Sequence, residues 1–77
     1  MLDWRTYIHT DPSVLVGKPV VKGTRLSVDF ILGLLAAGWT EQQVLDNYPT
    51  LTSTALQAVF AFGAECLREE RMYMLAV

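Results

Sequence analysis

The pattern of the chain changes once, near Ser27, and that change limits the folds available to it. Before Ser27, glycine, proline and β-branched residues dominate, which is typical of short strands and tight turns. After it, apolar residues recur at the three- and four-residue spacing of amphipathic helices. The sequence therefore predicts a mainly α protein, in which a short β ribbon with its turns (residues 1–26) precedes a three-helix bundle and a C-terminal tail (residues 27–77).

Two short strands are predicted in the first part, at Arg5 to Thr10 and at Pro19 to Lys22. The segments Asp11-Pro12 and Gly17-Lys18-Pro19 are predicted turns. Gly23 is expected to adopt a backbone angle that a residue with a Cβ resists. Two strands alone are rarely stable, so the ribbon must pack on the helices.

Capping residues mark where the three helices begin and end. Ser27 and Thr52 are predicted N-caps, and Thr40 with Gln43 has the spacing of a capping box. Gly38 is expected to end the first helix. Three helices joined by turns of a few residues indicate a compact bundle that resembles a helix-turn-helix.

The third predicted helix is apolar on two faces. Its predicted core face consists of Leu56, Val59, Phe60, Gly63 and Leu67, and its second face of Ala55, Ala58 and Phe62. A helix with two apolar faces normally has two surfaces to contact. We therefore expect Phe62, with Met72, Tyr73 and Met74 of the apolar tail, to bind a partner.

A chain of 77 residues forms one small domain, which is only marginally stable by itself. Because 52% of its residues are hydrophobic, it has more apolar surface than such a domain easily buries. A homodimer is the expected consequence.

The basic residues are unevenly placed. Lys18, Lys22 and Arg25 are half of the six Lys and Arg, and none occurs from Leu26 to Leu67. The chain as a whole has a formal charge of −2, which disfavours general attraction to nucleic acid. The loop that carries these three residues is the predicted contact for an acidic partner.

Composition also bears on the compartment. The single cysteine, Cys66, excludes an internal disulfide framework and fits a reducing cytoplasm. The N-terminal residues lack the order of a signal peptide. The uncharged stretch from Asn47 to Ala64 is interrupted by Pro49 and Gln57, so it does not predict a membrane span. We expect a cytoplasmic protein without membrane contact.

The candidate catalytic motifs fail on their spacing. In the glycine-containing loop, five residues separate Gly17 from Gly23, and Lys22 precedes the second glycine, whereas a phosphate-binding loop needs the lysine after it. Cys66 and the single histidine, His9, lack the spacing of a metal site and a third orienting group. The sequence predicts a protein that is not an enzyme and has no cofactor or metal.

DNA binding is the alternative that the residues leave open. The segment Thr40 to Phe60 aligns as helix, turn, helix, and the candidate base-reading side chains are Thr52, Ser53, Thr54 and Gln57. Duplex affinity relies on Lys and Arg at phosphates, and the segment Leu26 to Leu67 has four acids and no bases. DNA binding by this chain alone is therefore expected to be weak.

Several blocks of sequence resemble a known family. They are Asp11-Pro12, Gly17-Lys18-Pro19-Val20, Gly23-Thr24-Arg25-Leu26-Ser27-Val28, Leu34-Leu35-Ala36-Ala37-Gly38-Trp39 and Tyr48-Pro49-Thr50-Leu51-Thr52. In this order they look like the small prokaryotic family catalogued as domain of unknown function 433 (DUF433), described as VapB-type antitoxin-like. Val21 and Leu26 stand where the family commonly has isoleucine.

The resemblance implies a homeodomain-like trihelical fold after a short β segment. It also implies a gene beside one for a PIN-like ribonuclease toxin, and thus the antitoxin half of a type II toxin–antitoxin pair. Three functions follow in order of preference: an antitoxin that binds the toxin, a helix-turn-helix DNA-binding regulator, and a homodimeric assembly module. Arg25 is either a partner contact or an anchor that bonds backbone carbonyls of the ribbon.

Overall fold

The part of the chain that the structure describes is mainly helical, with a two-stranded antiparallel ribbon near its N-terminal end. The structure is a computed structural model and describes residues 2–13 and 17–70. In chain order the elements are a 3-10 helix (Trp4–Thr6), β1 (Ile8–Thr10), β2 (Pro19–Val21), α1 (Val28–Ala36), α2 (Glu41–Asn47) and α3 (Ser53–Glu70). The predicted ribbon followed by three helices is confirmed.

The ribbon is shorter than predicted at both strands. Ile8 pairs with Val21 and Thr10 with Pro19, so β1 begins three residues after the predicted start at Arg5. Arg5 lies instead in the 3-10 helix, because the Asp3 carboxylate accepts its backbone N–H at 3.1 Å and so caps that turn. Lys22 lies in the turn after β2 rather than in the strand.

The predicted caps are present. The Ser27 hydroxyl accepts a hydrogen bond from Phe30 N at 3.1 Å, and the Thr52 hydroxyl accepts one from Ala55 N at 3.0 Å. Both hydrogen bonds of the predicted capping box at the start of α2 are formed. Gly38, at φ +103°, follows α1 in a conformation that favours glycine. Local sequence thus sets the helix boundaries.

The core lies between the ribbon and the three helices. Its largest fully buried side chains are Val20, Ile31, Val44, Leu56 and Val59, which come from β2 and from each helix. Van der Waals contacts and the removal of this apolar surface from water stabilise the fold.

The predicted core face of α3 is wrong at two positions. Phe60 is 41% exposed and Leu67 is 56% exposed, whereas Ala55 and Ala58 of the predicted second face are buried. Phe62 is half-buried. The reason is that the 3-10 helix packs on that second face, which periodicity along α3 alone does not reveal.

Within residues 2–13 and 17–70, no helix has both the length and the hydropathy needed to span a bilayer.

Candidate binding cleft at the basic loop

The loop between β2 and α1 (residues 22–27), called here the basic loop, is held by a compact set of hydrogen bonds. Val21 N donates to Leu26 O at 3.0 Å, which closes the loop at its base. The Thr24 hydroxyl donates to Val21 O at 2.8 Å and accepts from Leu26 N at 3.0 Å. Gly23, at φ +80°, makes the turn as predicted. Thr24 therefore fixes the backbone on both sides of Arg25.

Lys18 is close to the start of α1, where its charge is balanced. Its Nζ is 3.1 Å from Asp29 Oδ2. The Ser27 hydroxyl donates to Asp29 Oδ1 at 2.6 Å. The hydrogen bond from Ser27 and then that from Lys18 lower the pKa of the Asp29 carboxyl. Lys18 thus supports the charge network at the N-terminus of a helix.

Lys22 connects two parts of the chain. Its Nζ donates to the backbone oxygen of Arg5 at 3.1 Å, so it holds the basic loop to the 3-10 helix. Its charge remains exposed, but its position is set by this bond.

Arg25 differs from both lysines. Its side chain is exposed and forms no hydrogen bond or ion pair with any residue that the structure describes. The bonds to ribbon carbonyls that would make it an anchor are not formed within the described residues. Of the three predicted basic contacts, Arg25 is the one whose charged group has no hydrogen bond or ion pair among the described residues.

Arg25 borders an open cleft of about 600 Å³, lined by His9, Gly23, Thr24, Arg25 and Thr50. A smaller depression of about 280 Å³ lies along Arg25, Leu26, Ser27 and Phe30. Sequence reasoning considers His9 only as a metal ligand or nucleophile partner and misses Thr50, because neither is near Arg25 along the chain. The one available signal is that Thr50 lies within the block Tyr48–Thr52, one of the blocks that resemble DUF433.

A second cavity is apolar and lies between α1 and α3. It has a volume of about 320 Å³ and is lined by Pro19, Val28, Asp29, Leu32, Phe62, Gly63, Cys66 and Leu67. Cys66 lines this groove, whereas His9 lines the cleft, so the structure does not bring the two together. Among the described residues, no three His, Cys, Asp or Glu side chains are grouped so that they could hold a metal ion.

The predicted partner contact Phe62 is engaged inside the molecule. Its ring packs edge-to-face on Trp4 with centroids 4.7 Å apart. Trp4 Nε1 and Arg5 Nη2 each donate to Glu65 Oε2 at 3.2 Å, and the Arg5 guanidinium lies 4.5 Å from the Trp4 ring centroid. We call Trp4, Arg5, Phe62 and Glu65 the N-terminal clamp. The other predicted contacts of this kind, Met72, Tyr73 and Met74, lie outside the described residues.

The candidate base-reading side chains lie at the start of α3. Thr52, Ser53, Thr54 and Gln57 are all exposed. The Thr52 hydroxyl accepts a hydrogen bond from Ala55 N and caps the helix, which leaves Ser53, Thr54 and Gln57 with free side chains in the described part of the chain.

Comparison with known proteins identifies the family. A family model described as a protein of unknown function (DUF433) matches residues 8–63, more than half of the chain. The chain belongs to the DUF433 family.

Two known proteins are also similar to this chain. The chain is 31% identical over 68 residues to a protein of Sinorhizobium fredii described as uncharacterized protein y4eO, and it spans 31% of the length of that protein. It is also similar to a crystal structure of a DUF433 member protein from Anabaena variabilis, with a TM-score of 0.73 and 27% identity. That alignment covers 91% of this chain and 68% of the other.

The DUF433 match contains the whole cleft, from His9 to Thr50, but only part of the N-terminal clamp. Trp4, Arg5 and Glu65 lie outside residues 8–63, and Phe62 lies near their end. The cleft therefore belongs to the part of the molecule that corresponds to the DUF433 domain.

Proposed function

We propose that this DUF433 chain is a non-enzymatic binding protein, the VapB-type antitoxin-like half of a type II pair that neutralises a PIN-like ribonuclease toxin in the cytoplasm. The observation that carries the proposal is the exposed guanidinium of Arg25, which has no polar partner in residues 2–13 and 17–70 and sits on a loop fixed by Thr24. A homeodomain-like arrangement of the three helices is part of the same proposal.

Arginine suits an acidic partner for a geometric reason. Its planar guanidinium forms two parallel hydrogen bonds with one carboxylate, and it stays charged throughout the physiological pH range. Arg25 would meet a carboxylate at the ribonuclease site and compete with the cation or RNA phosphate bound there. Exposed Phe60 and Leu67 on α3 offer a separate apolar contact area for a partner.

The test is binding to the product of the neighbouring gene. The purified chain should retain a PIN-like toxin in a pull-down and suppress its ribonuclease activity. Arg25→Gln should weaken the complex by about tenfold or more, as expected when a charged interface pair is lost. Arg68→Gln is the matched control, because Arg68 is also exposed and has no polar partner in the described part of the chain.

Two results would contradict the proposal. One is the absence of a complex between the wild-type chain and the neighbouring PIN-like protein. The other is a complex that forms but leaves the ribonuclease activity unchanged.

A DNA-binding regulator is the second candidate, favoured by the exposure of Ser53, Thr54 and Gln57 on the first turns of α3. Four acids and no bases between Leu26 and Leu67 stand against it. A mobility shift on the chain's own promoter, alone and with the toxin, separates the two candidates. Binding with a steep salt dependence that Gln57→Ala abolishes would favour the regulator.

A homodimeric assembly module is the third candidate. Its support is the exposed pair Phe60 and Leu67 on one side of α3. Sedimentation should then give a dimer that Leu67→Asp dissociates. Phe62→Asp is unsuitable as a probe, because Phe62 packs on Trp4 and its loss would disturb the fold.

A further inference from the structure

Three hydrogen-bond donors from separate segments meet at the cleft beside the basic loop. His9 comes from β1, Arg25 from the loop before α1, and Thr50 from the turn before α3. All three residues are exposed, and their side chains form no hydrogen bond with any described residue. Residues so distant along the chain come together only through the tertiary fold.

No acidic side chain lines the cleft among the described residues. Asp11, the nearest carboxylate along the chain to His9, accepts hydrogen bonds from the Ser13 backbone N–H at 2.9 Å and from the Ser13 hydroxyl at 2.8 Å. These bonds, and to a smaller extent the electrostatic interaction with His9, lower the pKa of Asp11, whose carboxylate is bonded within its own turn and does not line the cleft. The Thr24 hydroxyl is engaged within the loop. The side chains of His9, Arg25 and Thr50 can therefore all donate to a ligand, and the Arg25 guanidinium can only donate.

We infer that the cleft binds one carboxylate of an acidic protein segment, with Arg25 as its two-point partner and His9 and Thr50 as further donors. The inference rests on the proposed function for the identity of that protein, but not for the chemistry of the site. It adds two binding residues, His9 and Thr50, and it assigns Lys18 and Lys22 to structural roles.

The charge of the surroundings favours a carboxylate over a nucleic acid backbone. A phosphate chain needs several cations to replace its counterions. Here Lys18 is paired with Asp29, and Lys22 is held by Arg5 O. One guanidinium with two further donors matches the two oxygens of a single carboxylate.

The experiment uses the full chain labelled with ¹⁵N and three probes. The first is a blocked glycine pentapeptide with a central aspartate, the second has asparagine in its place, and the third is a short DNA duplex. We expect the aspartate peptide to shift the resonances of His9, Arg25 and Thr50 saturably, with a Kd in the millimolar range, and the asparagine peptide to leave them unchanged.

Substitutions then test each donor. Arg25→Gln should abolish the shifts, while Thr50→Val and His9→Ala should raise the Kd by about three- to tenfold. Arg68→Gln should have no effect. Retained dispersion of the other resonances shows that each variant is folded.

Three results would overturn the inference: equal shifts with the asparagine peptide, unchanged binding in Arg25→Gln, or tighter binding of the duplex to the same residues. The last result would assign the site to phosphate.

Failure of this inference can be distinguished from failure of the proposed function. If the aspartate peptide binds but the toxin does not, the proposed function falls and the site stands. If the toxin binds but the aspartate peptide does not shift His9, Arg25 and Thr50, the site falls and the function stands.

Discussion

Arg5 and Arg25 are both exposed arginines, but the fold uses them differently. Arg5 bonds Glu65 at 3.2 Å, lies 3.6 Å from Asp3 and stacks on Trp4. Arg25 has no such partner in the described residues, although the loop that carries it is firmly bonded. In the N-terminal clamp, charge stabilises the molecule itself. At the cleft, a hydrogen-bonded loop presents a charge that no described residue pairs with, which is the arrangement expected of a binding site.

The largest effect on stability should come from the clamp's aromatic contact. Trp4→Ala removes the edge-to-face packing on Phe62 and the hydrogen bond to Glu65. Because Trp4 is only half-buried, we expect a loss of about 2 kcal/mol in the free energy of unfolding, below the range for fully buried aromatic residues. Urea denaturation of the wild type and the variant measures this loss in the free energy of unfolding. Trp4→Phe should cost less, and a loss below about 0.5 kcal/mol for Trp4→Ala would show that the clamp contributes nothing.

The next largest effect should come from Thr24, whose hydrogen bonds hold the loop that carries Arg25. Thr24→Val removes the hydroxyl that bonds both Val21 O and Leu26 N. We expect the free energy of unfolding to fall by about 1 kcal/mol and the affinity for the aspartate peptide or the toxin to fall with it. Thr24→Ser, which keeps the hydroxyl, is the control. Unchanged affinity in a Thr24→Val protein of lowered stability would mean that the loop does not orient Arg25.

A smaller effect is expected from the charge of the clamp. Glu65→Gln removes the ion pair with Arg5, whose side chain is 63% exposed. Solvent screens such a pair, so the loss should be under about 1 kcal/mol and should vanish in high salt. Glu69→Gln, at an exposed residue without a polar partner in the described ranges, is the matched control. A salt-independent loss would point to the hydrogen bond from Trp4 rather than to charge.

The smallest expected effect on stability depends on pH and concerns Asp29 in the first turn of α1. Because the pKa of Asp29 is lowered in the folded chain, its carboxylate stabilises the fold above the unfolded pKa of about 4. That stability is lost as the pH falls through the lower folded value. Asp29→Asn should therefore destabilise the chain slightly at pH 7, and the difference from wild type should shrink below pH 4. Urea denaturation across this range tests it, and a difference that does not depend on pH would contradict it.

Local physics explains what sequence reasoning predicted correctly. Ser27, Thr40 and Thr52 cap helices because a hydroxyl needs only its neighbouring backbone N–H groups to do so. Gly23 and Gly38 adopt positive φ because a turn demands it locally. The positive charge of the basic loop is likewise predictable, because its Lys and Arg residues can be read directly from the sequence.

Which face of α3 is buried was not predictable in the same way. Both faces are apolar, and the choice depends on the 3-10 helix, a segment about 60 residues earlier that periodicity placed in a strand. Phe62 is half-buried because its ring packs on Trp4, whereas Phe60 is 41% exposed.

The sequence by itself determined the order of the two strands and three α-helices and the residues that cap those helices, because each depends on residues close together in the chain. It also showed three basic residues clustered near the first helix, although β2 separates Lys18 from Lys22 and Arg25. The tertiary structure decided that Lys18 and Lys22 have polar partners, that Arg25 has none among residues 2–13 and 17–70, and that His9 and Thr50 line the same cleft as Arg25. These are contacts between distant segments, and only the packing of the ribbon on the helices brings them within reach.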